Sequence, residues 1–349
     1  MRKSLVMAAV AAMVLAGCSQ DDGLNSGVDQ GNGAPIEFRT VTNKTRATES
    51  MDKDNIGDFR VLANKVGTYA NPVFSFMQDI AVVKTGASWS YAPLKFFPSD
   101  GSQIEFFAYS PSGSVNVTTA MISESTASLQ KAKLTYEVPV LGNIEKKKAE
   151  DFLVAVATGD KDNGDQKIAM NFTHALSMAT FAAKNVSKGM TLIVDTIEIS
   201  NLGVKADLTF DASATATTPA TKFVWTAPTS QNITYALTLP VDGVPVLPAS
   251  ADDTDHKFLV PANEGMMILP QEISGGTEFT VRYRAVDADN ISIGRETAVF
   301  TLPANQKFDL GKKYTFKITF EGKFKPLVFD GITVDSWADG GDVTPTPVP

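Results

Sequence analysis

Phe279-Thr280-Val281-Arg282-Tyr283-Arg284-Ala285 alternates apolar and polar residues without a break, and Tyr314-Thr315-Phe316-Lys317-Ile318-Thr319-Phe320 repeats the pattern. A period of two sends successive side chains to opposite faces of an extended chain, so one face is built for burial and the other for water. Both segments read as half-buried antiparallel strands. Leu192 and Val194 keep the alternation, and Ile197 and Ile199 resume it after Asp195-Thr196. Turn chemistry separates such runs at Lys161-Asp162-Asn163-Gly164, Ser274-Gly275-Gly276-Thr277 and Asp309-Leu310-Gly311-Lys312. No long amphipathic helix follows the N-terminal apolar run, and abundant Phe with recurring Thr, Val and Ile suits pleated, half-buried surfaces. The expected fold class is all-β, built as two antiparallel β-sandwich domains.

The N-terminus carries a different pattern. Arg2 and Lys3 precede an apolar run from Leu5 to Leu15, and Leu15-Ala16-Gly17-Cys18 closes it with the only cysteine of the chain. The run is much shorter than the roughly 20 residues that span a bilayer, so it reads as a secretory signal. Leu-Ala-Gly-Cys resembles the bacterial lipobox. That resemblance implies cleavage before Cys18 and lipidation of its thiol and new amine, which exceeds the two-signal requirement for stable anchoring. Ser19-Gln20-Asp21-Asp22 resembles the acidic export signal that sends such lipoproteins to the outer face of the outer membrane.

Loss of residues 1–17 removes two cations, Arg2 and Lys3, and takes the formal net charge from −8 to −10. An acidic surface repels phosphate backbones, which argues against nucleic acid as a partner. With Cys18 committed to lipid, no disulfide can form within the chain, so each domain must be held by apolar burial. The expected layout is a signal at 1–17, a flexible Gly/Asn/Asp/Ser linker at 18–35 and an N-terminal sandwich at 36–163. A C-terminal sandwich at 164–337 and a Pro-rich tail at 338–349 follow. Three prolines at 345, 347 and 349 keep that tail out of any central strand.

Chemistry-bearing motifs are sparse. The two histidines, His174 and His256, lie far apart in sequence, and no Gly-x-Ser-x-Gly elbow or phosphate-binding glycine loop is present. His174, in Asn171-Phe172-Thr173-His174-Ala175-Leu176, reads as a hydrogen-bonded core histidine rather than a base or ligand. His256 follows Asp252-Asp253-Thr254-Asp255, an acidic turn that reads as an exposed loop rather than a calcium site. Asp160–Asp165 and Asp52–Asn55 fail the spacing of a calcium loop. No enzyme, no metal and no cofactor is expected.

Several segments together are similar to the fimbrillin family, the surface lipoproteins that build type V pili in gut and oral anaerobes. They are Ser88-Trp89-Ser90-Tyr91-Ala92-Pro93, Phe97-Pro98-Ser99-Asp100-Gly101 and Ile104-Glu105-Phe106-Phe107-Ala108-Tyr109-Ser110-Pro111. Further on come Asp151-Phe152-Leu153-Val154-Ala155, Phe172-Thr173-His174-Ala175-Leu176-Ser177, Met267-Ile268-Leu269-Pro270-Gln271, Gly311-Lys312-Lys313-Tyr314 and Ile332-Thr333-Val334-Asp335-Ser336-Trp337. Phe97 stands where the family often has Trp, an exchange of one core aromatic for another. Trp89, Tyr91, Phe96, Phe97, Phe106, Phe107 and Tyr109 are expected to form the aromatic core of the first sandwich, and Trp337 to close the second.

The resemblance implies two transthyretin-like sandwiches and assembly by strand exchange. An Arg-specific protease removes the first strand with its lipid, and a C-terminal strand of the next subunit fills the exposed groove. The candidate cut is Arg46-Ala47, with Arg39 and Lys44 as alternatives, and Ile36 and Phe38 are the inward residues of the removable strand. The candidate donor-strand region contains Ile332, Val334 and Trp337. The short, Pro-rich tail fits a tip subunit at least as well as a stalk subunit, and an anchor as well, provided that Arg46 is not cut. The implied partners are other pilus subunits and the outer membrane through the lipid anchor. A second function class, a non-polymerising lipoprotein that binds a host or glycan ligand, rests on Tyr69, Tyr91 and Trp225 as candidate exposed aromatics.

Overall fold

The computed structural model describes residues 34–41, 56–66, 76–123, 131–139, 150–162, 167–213, 215–229, 233–237, 239–249, 255–261, 264–273, 275–304, 306–322, 325–337 and 346–347. These residues fold almost entirely as strands. The first ten are β1 (Glu37–Val41), β2 (Asp58–Lys65), β3 (Met77–Thr85), β4 (Ser88–Ser90) and β5 (Ile104–Ser110), followed by β6 (Val117–Ser123), β7 (Lys131–Glu137), β8 (Leu153–Gly159), β9 (Lys167–Asn171) and β10 (Thr173–His174). Next come β11 (Ser177–Asn185), β12 (Thr191–Leu202), β13 (Lys205–Asp211), the short helix α1 (Pro219–Lys222), β14 (Phe223–Trp225), β15 (Ile233–Ala236) and β16 (Val244–Val246). The remainder are β17 (Lys257–Phe258), β18 (Met266–Ile268), β19 (Gln271–Glu272), β20 (Glu278–Val286), β21 (Ser292–Thr301), β22 (Lys307–Phe308), β23 (Lys312–Phe320), β24 (Val328–Ser336) and β25 (Thr346–Pro347).

A six-stranded sheet in the order β10-β8-β5-β2-β3-β4 is the centre of the first half. All seven residues of β5, Ile-Glu-Phe-Phe-Ala-Tyr-Ser, are buried, because both faces of this sheet are covered. Ile104, Phe106 and Ala108 face a smaller core with Phe59, Val61, Ile168 and Met170, whereas Phe107 and Tyr109 face a larger one. The aromatics expected to make one core are thus divided by the pleat of a single strand. Phe96 departs from the expectation, with 37% of its surface exposed, while its neighbour Phe97 is fully buried.

The second face of that sheet packs against a four-stranded sheet in the order β14-β13-β7-β6. The larger core continues from there between a sheet in the order β17-β11-β23-β24-β25 and one in the order β15-β12-β20-β21. Phe181, Phe279, Phe316 and Phe329 stack across that interior, with centroids 5.2–5.7 Å apart for pairs such as Phe181–Phe316 and Phe279–Phe329. The alternation at 279–285 and 314–320 emerges as buried Phe279, Val281, Tyr283, Ala285, Tyr314, Phe316, Ile318 and Phe320. The interruption at Asp195-Thr196 is a register shift between Val194 and Thr196, as a bulge would produce.

Among the described residues two pairings are parallel, β1 with β9 and β11 with β23. The pairings also run across residues 163/164. β9 and β10 pair with β1 and β8, and β7 pairs with β13 in seven-residue register from Lys131↔Asp211 to Glu137↔Lys205. Residues 31–349 cluster as one compact unit.

Candidate functional site

β1 is the most unusual element. Ile36 and Phe38 are buried, and the Phe38 ring meets Phe59, Tyr91 and Phe106 edge-on at 5.6, 5.6 and 5.7 Å. The Tyr91 hydroxyl donates to the Ile36 carbonyl oxygen at 2.9 Å. From Glu37 to Val41 the backbone ladder runs to β9, with a Lys167–Glu37 ion pair at 3.3 Å beside it, and just upstream the Ile36 N–H donates to the Lys95 carbonyl at 2.9 Å while Pro35 bridges Phe96. Ile36 and Phe38 thus sink two large side chains from one short segment into the smaller core. Removal of that segment would leave an apolar slot walled by Phe59, Phe97, Phe106, Ile168 and Met170, beside the unpaired edge of β9. Arg39 lies within β1 opposite Ala169, where ladder pairing holds the backbone. Cys18, Arg46 and Ala47, and Lys44 beside them, lie outside the described residues.

A second constellation forms where the two halves meet. Trp337 stacks flat on His174, centroids 4.1 Å apart with 9° between planes. From its ring edge His174 Nδ1 donates to Asp151 Oδ1 at 2.7 Å, the direction a carboxylate requires. The Trp337 backbone N–H donates to the Gly311 carbonyl at 2.8 Å, and the Gly311 N–H donates to the Leu176 carbonyl at 3.0 Å. Gly311 holds φ = +67°, a conformation that suits a residue without Cβ. Four of the segments that carry the family resemblance therefore end at one node. Next to Asp151, Glu150 accepts from Tyr136 Oη at 3.2 Å and from the Ser114 hydroxyl, and burial pushes its carboxyl pKa up. Sequence reasoning placed His174 in the core but did not see Asp151, Glu150 or Gly311 as its surroundings.

The three residues of the candidate donor region serve this chain's own sheet. Ile332 and Val334 lie opposite Phe316 and Tyr314 in the antiparallel β23–β24 ladder, with Ile332 buried and Val334 partly so. The tail pairs at the outer edge of β24, Pro347 opposite Thr333, and edge pairing is the position proline tolerates. Two of the candidate ligand aromatics are half-buried and engaged with the core: Tyr91 packs on Phe38, and Trp225 Nε1 donates to the Ala175 carbonyl at 2.8 Å. Tyr69 and residues 252–254 lie outside the described residues. His256 Nε2 donates to Asp330 at 2.9 Å, and Thr319 donates to the same carboxylate at 2.7 Å. Among the described residues no group of three or more His, Cys, Asp or Glu side chains is placed to hold a metal ion.

Stacked sheets enclosing aromatic cores, with the segment around Ile36 and Phe38 sunk in one of them, define an all-β protein. The chain belongs to the fimbrillin-like family, whose model matches residues 45–337. It is 24% identical to the fimbrium subunit Fim1C of Phocaeicola vulgatus over an alignment that covers 97% of each chain. A crystal structure of a fimbrial protein from Bacteroides vulgatus shares the fold at a TM-score of 0.60 and 17% identity, covering 87% of this chain and 99% of that one.

Proposed function

We propose that this chain is a fimbrium subunit that accepts a neighbour's strand in the groove now filled by β1. Lipidated at Cys18, it is displayed on the outer membrane, and cleavage between Arg46 and Ala47 frees β1. Its role is structural and adhesive, without catalysis. The observation that carries this reading is the burial of Ile36 and Phe38, on and immediately before a strand that ends at Val41, just upstream of Arg46. Membership of the fimbrillin-like family and the full-length similarity to a fimbrium subunit support it.

The pairing of β24 with β23 favours an acceptor at the tip of a filament. Lending Ile332, Val334 and Trp337 to another subunit would strip β24 from β23 and Trp337 from His174. The test is the N-terminus of the protein recovered from assembled fimbriae. A start at Ala47, lost in Arg46→Ala, supports the reading. A lipidated Cys18 terminus on all assembled protein contradicts the cleavage step and leaves an anchor or a stand-alone ligand-binding lipoprotein.

A further inference from the structure

β21 is 10 residues long and forms an outer edge of the sheet β15-β12-β20-β21. β20 pairs with one side of it, and among the described residues no strand pairs with the other. Other sheet edges are blunted. β14 and β16 have 3 residues each, β16 carrying Pro245, and β17 has 2. β25 contains Pro347, and the β6–β7 ladder shifts register at two places. Short length, proline and bulges guard an edge against pairing with another chain. From Gly294 to Thr301 β21 has none of these, and its register with β20 is unbroken. Its two charged residues, Arg295 and Glu296, cancel, and Val299 on it is 52% exposed.

We propose that β21 pairs antiparallel with β21 of a second copy of this chain, about a two-fold axis at Thr297. The ladder with β20 fixes the faces. Gly294, Glu296, Ala298 and Phe300 lie opposite Ala285, Tyr283, Val281 and Phe279 and share their core-facing side. Arg295, Thr297 and Val299 therefore point outward. A two-fold axis perpendicular to the sheet opposes residues of the same face, equally far from the axis. Charge then selects the register. An axis at Arg295 or at Glu296 sets like charges directly opposite, which is destabilising. An axis at Ala298 shortens the ladder to residues 295–301. An axis at Thr297 uses residues 293–301 and opposes Thr297 to its own copy, Arg295 to Val299, Glu296 to Ala298 and Gly294 to Phe300. Val299 is then covered by the aliphatic stem of Arg295. The contact is isologous and closes at two copies, whereas head-to-tail strand exchange stays open. One strand wide, it falls below the roughly 1,200 Å² of a standard interface, so it is weak unless copies are held close together. β1 and β24 take no part in it, so it stands apart from strand exchange.

The test is oxidative cross-linking of the full chain carrying Cys18→Ser and one new cysteine on the outward face of β21. Thr297→Cys, at the axis, should form a disulfide dimer, because directly opposed residues lie within bonding reach. Arg295→Cys and Val299→Cys should each stay monomeric alone and form a dimer when mixed. That mixed dimer should fall several-fold when both chains also carry Thr297→Lys, which sets two ammonium groups opposite each other at an exposed position. Equal cross-linking of the three single variants, no cross-linking of Thr297→Cys, or a mixed dimer unchanged by Thr297→Lys would overturn the proposal. None of these results bears on whether Arg46 is cut.

Discussion

Trp337 is the last described residue before the segment 338–345, and its ring, 7% exposed, closes on His174. Trp337→Ala removes the stack and opens a cavity at the junction of the two halves, an expected loss of about 3–5 kcal/mol in urea unfolding. Glu150 carries the pH dependence of the same region. Its burial raises the folded pKa above the ordinary carboxylate value, so the folded state prefers the neutral acid. The stability associated with this group is full below the unfolded pKa and is lost as pH rises through the folded one. Glu150→Gln should therefore gain on the wild type at pH 7 and lose that advantage at pH 4, as read by chemical denaturation at the two pH values. The burial of His174 was legible from its apolar neighbours Phe172, Ala175 and Leu176. Its contact with Trp337 was not, because nothing local links residues so distant in sequence.

At the scale of elements, β1 and β24 make opposite predictions. Phe38→Ala should destabilise the uncleaved chain by about 3–5 kcal/mol, and leave protein that begins at Ala47 unchanged, since the residue has gone. β24 is expected to stay. Tyr314 and Val334 are directly opposed in an antiparallel ladder, a spacing compatible with a disulfide. Tyr314→Cys with Val334→Cys should pin β24 under oxidising conditions without reducing fimbrial incorporation; loss of incorporation, restored by reductant, would make β24 a donor after all. The strands themselves were readable wherever one face is wet, as in 279–285 and 314–320. β5 was not readable by alternation, because both of its faces are buried and its run is continuous. Neither were the parallel pairings of β1 with β9 and β11 with β23. A period of two gives a face but says nothing of the neighbour's direction.

At the scale of the molecule, strand sharing across residues 163/164 ties the halves into one unit. A fragment ending at residue 163 lacks β9 beside β1, β10 beside β8 and β13 beside β7. It should not fold cooperatively, whereas residues 34–349 should melt in one transition by circular dichroism; a well-folded 34–163 fragment would show two independent domains. Strand exchange is the larger claim, and a head-to-tail contact of that kind does not close on itself. The most direct measurement is an immunoblot of outer-membrane material from cells carrying wild-type or Arg46→Ala protein, with and without boiling in detergent. The expected result is a high-mass species containing wild-type chain that survives unboiled detergent, collapses on boiling to a band beginning at Ala47, and is absent in the variant. A single full-length lipidated band in both strains under both conditions would contradict strand exchange.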